Sequence, residues 1–191
     1  MVYLLYGCGL RVTEPLELRV NRVDVEAGQI VIRAAKGNED RIVALPECRK
    51  DAVAAQLGVA RALARSDAGA GLPVALPGLL AAKVPKAKFD QGWAWVFPAV
   101  KATTHSRSGE QVRWRMHEVT VRRAVRKAAE KAGMSVTATP HVLRHTFATH
   151  AHHAGAAARA LQAVLGHTKL ETTMGYLDAR PTNVRSPPDM L

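Results

Sequence analysis

The stretch from residue 22 to residue 44 constrains the fold more than any other, because its hydrophobic residues take a different period from the rest of the chain. Apolar residues alternate with polar neighbours at Val23 and Val25, at Ile30 and Ile32, and at Ile42 and Ala44. Such alternation is typical of strands with one buried face. Turn-forming residues separate the three runs, at Ala27-Gly28 and at Lys36-Gly37-Asn38. The sequence therefore predicts a small three-stranded antiparallel sheet.

Helical patterns account for most of the remaining chain, so the expected fold class is α+β and mostly helical. Helices are predicted over residues 1–6, 13–20, 47–65, 117–133, 140–154, 156–165 and 170–177, with a short helical patch near 79–84. Gly133, Gly155 and Gly166 stand where three of these helices are expected to end, because glycine commonly follows a helix. The tail from Pro181 is expected to be non-helical, since it holds two further prolines.

Residues 66–100 differ in kind from the helical segments around them. Glycines and prolines predict irregular chain at its start, at Gly69, Gly71, Pro73, Pro77 and Gly78. Trp93, Trp95 and Phe97 then alternate, so we expect them to share one face of a strand. Aromatic clusters are usually core, and this one is expected to pack the segment against the body of the protein.

The charge of the chain points to a polyanionic partner. The formal net charge is +11, from 27 Lys and Arg against 16 Asp and Glu. The excess is concentrated between Lys101 and Lys131, where nine basic residues stand against three acidic ones. A solvated helix face is the alternative interpretation, and charge alone does not decide between the two.

Two further features bear on where the protein works. Cys8 and Cys48 lie forty residues apart without metal-ligand spacing, so neither a disulfide framework nor a zinc motif is expected. No apolar run approaches transmembrane length, and the N-terminus lacks a basic region followed by a cleavable apolar stretch. The expected location is the cytoplasm, with no membrane partner.

Five short features carry residues suited to chemistry. In chain order they are Gly9-Leu-Arg-Val-Thr-Glu14, Lys36 at a strand turn, His141-Val-Leu-Arg-His145, Leu165-Gly-His167 and Tyr176. Each is weak alone, because a single arginine is usually a surface residue and a single tyrosine usually packs. Together they suit one reaction, phosphoryl transfer on a DNA strand.

Arg11 and Arg144 are the candidate phosphate ligands. Attack on a phosphodiester builds negative charge on the non-bridging oxygens, and two guanidinium groups can hold those oxygens through paired hydrogen bonds. Preorganised charge of this kind is often the largest catalytic contribution, with losses of roughly a hundredfold or more for one donor. Glu14 is expected to support Arg11 and the helix start rather than to react.

The remaining candidates handle the nucleophile and the protons. Tyr176 is the candidate nucleophile, although a phenol with a pKa of about 10 needs nearby cations or a base to react. Lys36, on a hairpin turn, can protonate the leaving 5′ oxygen as a general acid. His141 and His167 can donate further hydrogen bonds or move the proton of the nucleophile.

This set of motifs resembles the tyrosine recombinases, the phage integrases and their relatives. That family carries Gly-Leu-Arg-x-x-Glu, a hairpin lysine, His-x-Leu-Arg-His, Leu-Gly-His and a nucleophilic tyrosine, and all five stand here in the same order. The resemblance covers nearly the whole chain. It implies the family's catalytic-domain fold, a 3′-phosphotyrosine intermediate at Tyr176 and a reaction without metal or nucleotide cofactor. It also implies a homotetramer assembled on two DNA sites.

A narrower resemblance is to the integron integrases. Residues 76–98, which end in Trp93-Ala-Trp-Val-Phe-Pro98, are similar to an insertion of that branch, and residues 104–109 and 113–117 are similar to the branch's segments beyond the insertion. Val184-Arg-Ser-Pro187 resembles the branch's C-terminal tail. This implies an enzyme that integrates and excises cassettes and binds folded single-stranded sites besides double-stranded DNA.

The expected domain organisation comes from the same resemblance. Residues 1–191 are expected to form a catalytic domain that starts within a longer protein, without the family's N-terminal core-binding domain. Residues 66–100 are the integron-type insertion and residues 177–191 the C-terminal tail. Gly175 departs from the family, because a larger apolar residue usually precedes the nucleophile, and glycine costs a helix up to about 1 kcal/mol.

Four alternatives remain open on the sequence. The chain could be a remnant that binds DNA without turnover, for which the basic helix with Arg122, Arg123, Arg126 and Lys127 would suffice. It could be a generic phage or Xer-type tyrosine recombinase, or a strand-nicking topoisomerase with the same tyrosine chemistry. A zinc site is the last alternative, because five histidines crowd one helix: His141, His145, His150, His152 and His153.

Overall fold

A computed structural model describes residues 1–33, 40–76, 80–106, 108–134 and 138–177 of the chain. Its helices are α1 (Val2–Gly7), α2 (Thr13–Leu16), α3 (Lys50–Gly69), α4 (Leu80–Lys83), α5 (Glu118–Lys131), α6 (Pro140–His153), α7 (Ala158–Leu165) and α8 (Leu170–Leu177). Its strands are β1 (Val23–Asp24), β2 (Gln29–Ile32), β3 (Arg41–Ala44), β4 (Thr103–Thr104) and β5 (Gln111–Val112). The predicted class, α+β and mostly helical, is confirmed. The predicted turn at 36–38 and the C-terminal tail lie outside the described residues.

The predicted three-stranded antiparallel sheet is confirmed, with strand order β1-β2-β3. Its register pairs Val23 with Ile30 and Ile30 with Val43, so these three residues share the buried face. The phase predicted for the third strand is wrong, because Ile42 is 62% exposed and Val43 is 2% exposed. Arg41 stands two residues before Val43 and therefore occupies the inward face. The sequence favours the opposite phase because an arginine in a strand usually faces solvent.

The second predicted helix is shorter than expected. It begins at Thr13 but ends at Leu16, and the chain is extended at Arg19, with φ −100° and ψ 153°. Arg19 is 3% exposed, and its guanidinium donates to the carbonyl oxygens of Trp93 and Ala75 at 2.7 and 2.8 Å. Burying this side chain beneath the later segment requires the helix to stop before it.

The predicted strand through Trp93, Trp95 and Phe97 is absent from the described segment. Trp93 ends a 3-10 turn, and the residues from Ala94 to Phe97 are all buried rather than alternating. Isolated β-bridges pair this part of the chain with two other segments: Trp95 pairs with Arg19, and Pro98 pairs with Arg115. The predicted packing role is confirmed for Trp95 and Phe97, which are both buried, and Phe97 belongs to the core cluster that includes the sheet. The Arg19 guanidinium carbon lies 3.1 Å from the centroid of the Trp95 ring.

The other helices agree closely with the prediction. The segment expected from residue 47 starts as a 3-10 turn, Glu47–Arg49, before α3 runs on to Gly69. Val53, Leu57 and Ala60 of α3 are buried against the sheet cluster. Helix α7 begins at Ala158 instead of 156, and α8 has the predicted bounds. None of the helices in the described ranges is long and apolar enough to cross a bilayer.

A buried ion pair fastens α3 to the segment that precedes α5. Arg113 donates from Nε and Nη2 to the two carboxylate oxygens of Asp67, both at 2.7 Å. Its Nη1 donates to the carbonyl oxygens of Ala99 and Val100 at 3.1 and 2.8 Å. Since both side chains are nearly buried, the pair acts as a clamp between distant parts of the chain.

We expect Asp67→Asn to lower the free energy of unfolding by about 3 kcal/mol, because it leaves the Arg113 charge nearly buried without its carboxylate. Urea unfolding followed by circular dichroism measures this. The control is Glu47→Gln, which breaks the Lys50–Glu47 pair at a site where Glu47 is 85% exposed. That change should cost less than about 0.5 kcal/mol. Equal losses in the two variants would contradict the clamp.

Candidate active site

Two of the predicted arginines converge on the connection between α7 and α8. Arg11, just before α2, donates from Nη2 to the carbonyl oxygen of Gly166 at 2.8 Å. Arg144, in α6, donates from Nη2 to the carbonyl oxygen of Leu165 at 2.7 Å. The two guanidinium groups therefore bind consecutive carbonyls, and His167 comes directly after them in the chain. The structure brings together three residues that lie far apart in the sequence.

The position of Arg144 depends on a glycine in the first motif. Arg144 is 2% exposed, and its Nη1 donates to the carbonyl oxygen of Gly9 at 2.6 Å. Gly9 has φ +62°, and a Cβ added there would lie 2.4 Å from the ring of Phe147 in the same helix as Arg144. Only glycine combines this backbone conformation with this close approach.

Glu14 is the shared anion of the site and is 8% exposed. Its carboxylate accepts from the Arg11 backbone N–H at 2.7 Å, from Arg11 Nη1 at 3.1 Å and from Arg41 Nη2 at 2.8 Å. Arg144 Nη1 lies 4.0 Å away. Burial alone would raise the pKa of Glu14, but the hydrogen bond and charge of Arg41, the Arg11 backbone hydrogen bond and the charge of Arg144 lower it overall. Glu14 therefore supports Arg11, as the sequence predicts.

Arg41 is a site residue that sequence analysis missed. Besides its bond to Glu14, its Nε donates to the carbonyl oxygen of Val164 at 2.9 Å, which ties β3 to the end of α7. Its Nη1 is buried and has no hydrogen-bond partner among the described residues. Gly166 leaves room for it, because a Cβ there would lie 3.0 Å from that nitrogen. The available signal was the two-residue spacing from Val43, which puts Arg41 on the inward face.

The site carries an excess of positive charge. Three guanidinium groups, from Arg11, Arg41 and Arg144, surround the single carboxylate of Glu14, which leaves a net charge of +2. Burial, followed by the charges of the same three arginines, lowers the pKa of His167 to about 4. His167 is therefore neutral at neutral pH. A half-buried cationic cluster of this kind is suited to an anionic ligand such as a phosphodiester.

The hydrogen bonds of His167 identify its tautomer. Its Nε2 lies 3.0 Å from Arg144 Nη2, and an arginine can only donate, so Nε2 accepts. The proton of the neutral ring therefore resides on Nδ1, which donates to Thr173 Oγ1 at 2.9 Å. Thr173, in α8, is 0% exposed. Sequence analysis missed this residue as well, since a threonine in an amphipathic helix carries no signal of its own.

Of the other three predicted residues, two lie in helices that the structure describes and one lies outside the described residues. His141 lies in the first turn of α6, exposed and three residues before Arg144, so the two positions share a side of the helix. Tyr176 lies in α8, which packs against α6 and α7. Lys36 lies outside the described residues, so its predicted role is not tested by the geometry.

The zinc alternative gains no support from the part of the chain that the structure describes. That part contains no group of three or more His, Cys, Asp or Glu side chains that could hold a metal ion. His150 instead shares a hydrogen bond of 2.9 Å with the hydroxyl of Tyr6. The histidines of α6 therefore crowd one helix without converging on one point.

Comparison with known proteins gives a consistent result. The phage integrase family matches residues 1–183. An integrase/recombinase of Escherichia coli is 42% identical over 98% of this chain and 57% of its own length. The tyrosine recombinase XerA of Thermococcus kodakarensis is 32% identical over 97% of this chain and 52% of its own length. The chain thus spans about half the length of these relatives.

Two solved structures are similar to the fold. The crystal structure of a XerA recombinase has a TM-score of 0.64 and 28% identity over 92% of this chain and 50% of that chain. A XerH site-specific recombinase, crystallised with its difH substrate, has a TM-score of 0.60 over 92% of this chain and 40% of that chain. At 20% identity, the second likeness shows the fold alone.

The depressed pKa of His167 predicts a pH dependence of stability. In the unfolded chain the ring takes up a proton near its ordinary pKa of 6.5, whereas the folded ring stays neutral down to about 4. Stability is therefore expected to fall as the pH drops through this window, because the unfolded state binds the extra proton. Urea midpoints at several pH values measure it. His167→Gln should flatten the dependence, and His153→Gln, at an exposed site, should not; equal slopes in all three proteins would contradict it.

Proposed function

The chain belongs to the phage integrase family, and we propose that it cleaves and rejoins DNA strands as the catalytic domain of a tyrosine site-specific recombinase. The observation that carries the proposal is the convergence of Arg11 and Arg144 on consecutive carbonyls beside His167. Their net positive charge suits the phosphate of a DNA strand. Residues 1–191 form this domain in the proposal, with residues 66–100 as an insertion and residues 177–191 as its tail.

The arginines and His167 act on the phosphate. Arg11 and Arg144 donate to the non-bridging oxygens, whose negative charge grows as the fifth ligand approaches phosphorus. Their fixed hydrogen bonds to the main chain hold them in place before the substrate arrives, so little reorganisation is needed during the reaction. His167, once protonated on Nε2, donates a further hydrogen bond to the same oxygens.

The bond changes form a reversible exchange. The Tyr176 oxygen attacks phosphorus, the bond to the 5′ oxygen breaks, and a 3′-phosphotyrosine is left beside a free 5′-hydroxyl. In the proposal Lys36 gives the proton to the leaving oxygen and His141 assists removal of the proton of the nucleophile. The 5′-hydroxyl of a second strand then reverses the step. The energy of the phosphodiester is kept in the protein–DNA bond, so no metal or nucleotide cofactor enters the scheme.

The finer function is integration and excision of integron cassettes by a homotetramer on two sites. Its support is the resemblance of residues 76–98 to the integron-type insertion, together with the packing of Trp95 and Phe97 against the core. The similarity to XerA favours a generic Xer-type or phage-type recombinase as the second candidate. The two differ in the DNA that they accept, since the first also binds folded single-stranded sites.

We expect a covalent protein–DNA adduct from this chain on nicked suicide DNA, and no adduct from Tyr176→Phe, which lacks the nucleophilic oxygen. A denaturing gel detects the adduct. Tyr6→Phe is the control, because it removes a phenolic oxygen that only contacts His150 in the described structure. Substrates with duplex sites and with folded single-stranded integron sites separate the two candidate functions. An adduct that persists in Tyr176→Phe would contradict the mechanism, and no adduct with DNA binding retained would favour the non-catalytic alternative.

We also expect DNA affinity to fall steeply with salt, since phosphate contacts release bound cations. Arg123 and Lys127 are exposed on α5, and replacing either with Ala should reduce the slope of log K against log salt by about 1. Fluorescence anisotropy with labelled duplex DNA measures the slope. Arg61→Ala, an exposed change on α3 outside the basic segment, is the control. An affinity indifferent to salt would overturn the basic-surface argument.

A further inference from the structure

We propose that Thr173 is a positioning residue for the reaction, because its hydroxyl accepts the ring proton of His167 and so holds the ring with Nε2 towards Arg144. The inference deepens the proposed function and depends on it for the effect on catalysis. Its structural part concerns the DNA-free protein alone and can be tested without any reaction.

The geometry leaves His167 little freedom. Thr173 Oγ1 is 2.9 Å from Nδ1 on one side of the ring, and Arg144 Nη2 is 3.0 Å from Nε2 on the other. If the proton moved to Nε2, a ring N–H would point at a guanidinium N–H, donor against donor, and Nδ1 would lose its role as donor to Thr173. Arg144 therefore keeps the proton on Nδ1, and the fully buried hydroxyl at 173 supplies the acceptor that holds the ring in this position.

Most of the charged groups around the ring oppose a second proton on it. Arg144 faces it from α6, Arg11 from just before α2 and Arg41 from β3, while Glu14 is the acidic group that opposes them among the described residues. These cations disfavour a second proton on the ring while the site holds no anion. Arg144 also favours the Nδ1 tautomer, and the hydroxyl of Thr173 is the acceptor which that tautomer needs.

The tautomer matters for what His167 can do next. With the proton on Nδ1, the Nε2 lone pair faces Arg144 and can take up a proton when an anion occupies the site. The resulting imidazolium has two N–H groups. One still donates to Thr173, and the other can donate to a phosphate oxygen once Arg144 Nη2 has turned from the ring to the phosphate, so the same hydroxyl serves the ring before and after protonation. A side chain without an oxygen at 173 would serve neither state.

Thr173 also connects this ring to the helix of the nucleophile. Position 176 is three residues after position 173, so the two lie on one side of α8. Gly175 offers no comparable anchor, because a Cβ added there would meet no described atom within 4 Å. The bond from His167 to Thr173 is thus a direct polar link between the α7–α8 connection and α8.

Three substitutions isolate the hydroxyl. Thr173→Val keeps the shape of the side chain and removes the oxygen, whereas Thr173→Ser keeps the oxygen and removes the methyl group. Thr172→Val makes the same chemical change one residue earlier, at an exposed position in the same helix. Circular dichroism and thermal unfolding establish that each variant is folded before the other measurements.

The first readout is the tautomer itself. Long-range proton–nitrogen correlation spectra of the ¹⁵N-histidine-labelled chain at neutral pH, without DNA, distinguish a protonated ring nitrogen from a bare one. His167→Gln identifies the signals. We expect a single protonated Nδ1 in the unmodified chain, in Thr172→Val and in Thr173→Ser, and averaged ring-nitrogen signals in Thr173→Val, whose ring is no longer held. Unchanged signals of a single Nδ1 tautomer in Thr173→Val would overturn the proposal.

The second readout is the single-turnover rate of adduct formation on suicide DNA. We expect Thr173→Val to slow it about tenfold, the effect of losing roughly one net hydrogen bond, while its DNA affinity changes by less than about twofold. Thr173→Ser and Thr172→Val should keep the rate. A loss in Thr173→Ser as large as in Thr173→Val would overturn the proposal, because it would assign the effect to packing of the methyl group. If the unmodified chain forms no adduct on any DNA, the proposed function fails, and the ring-nitrogen signals alone then decide the role of Thr173.

Discussion

The carboxylate of Glu14 is the group on which the rest of the site depends. It is buried, it accepts hydrogen bonds from Arg11 and Arg41, and it lies 4.0 Å from Arg144. Three like charges brought into a poorly hydrated region would repel one another without it. One negative charge is enough to hold the arginines together and too little to neutralise them. The ion pairs that join α2, β3 and α6 therefore leave a net positive charge at the site, and the proposed reaction requires that charge.

Features governed by local chemistry could be predicted from the sequence. The sheet is predicted by a period of two, and the ends of α5 and α7 by Gly133 and Gly166, both of which have positive φ. The bounds of α8 were predicted because its apolar spacing is regular and its flanks are polar. The meeting of Arg11, Arg144 and His167 was predicted by the resemblance, which carries information about contacts that no local pattern holds.

Features that depend on a distant partner could not be predicted. Arg41 lies on the inward face because Glu14, far back in the chain, balances its charge, and the pattern of β3 alone favours the opposite phase. Residues Ala94 to Phe97 are all buried, three of them in the same core cluster as the sheet, so the predicted alternation does not hold there. Thr173 became a candidate only when its hydroxyl was found against the ring of His167.

Arg11 and Arg144 both bind main-chain oxygens besides their side-chain partners, and this has an evolutionary consequence. Arg144 is held by the carbonyl oxygens of Gly9 and Leu165, and Arg11 by that of Gly166. Every residue type supplies such an oxygen, so mutation of neighbouring side chains cannot delete it as long as the backbone path is kept. Selection then acts on the backbone path, through the glycines where the chain turns sharply or approaches other atoms closely. The surrounding side chains are less constrained and can change more often. An architecture of this kind can diverge widely in sequence while its reactive centre stays in register.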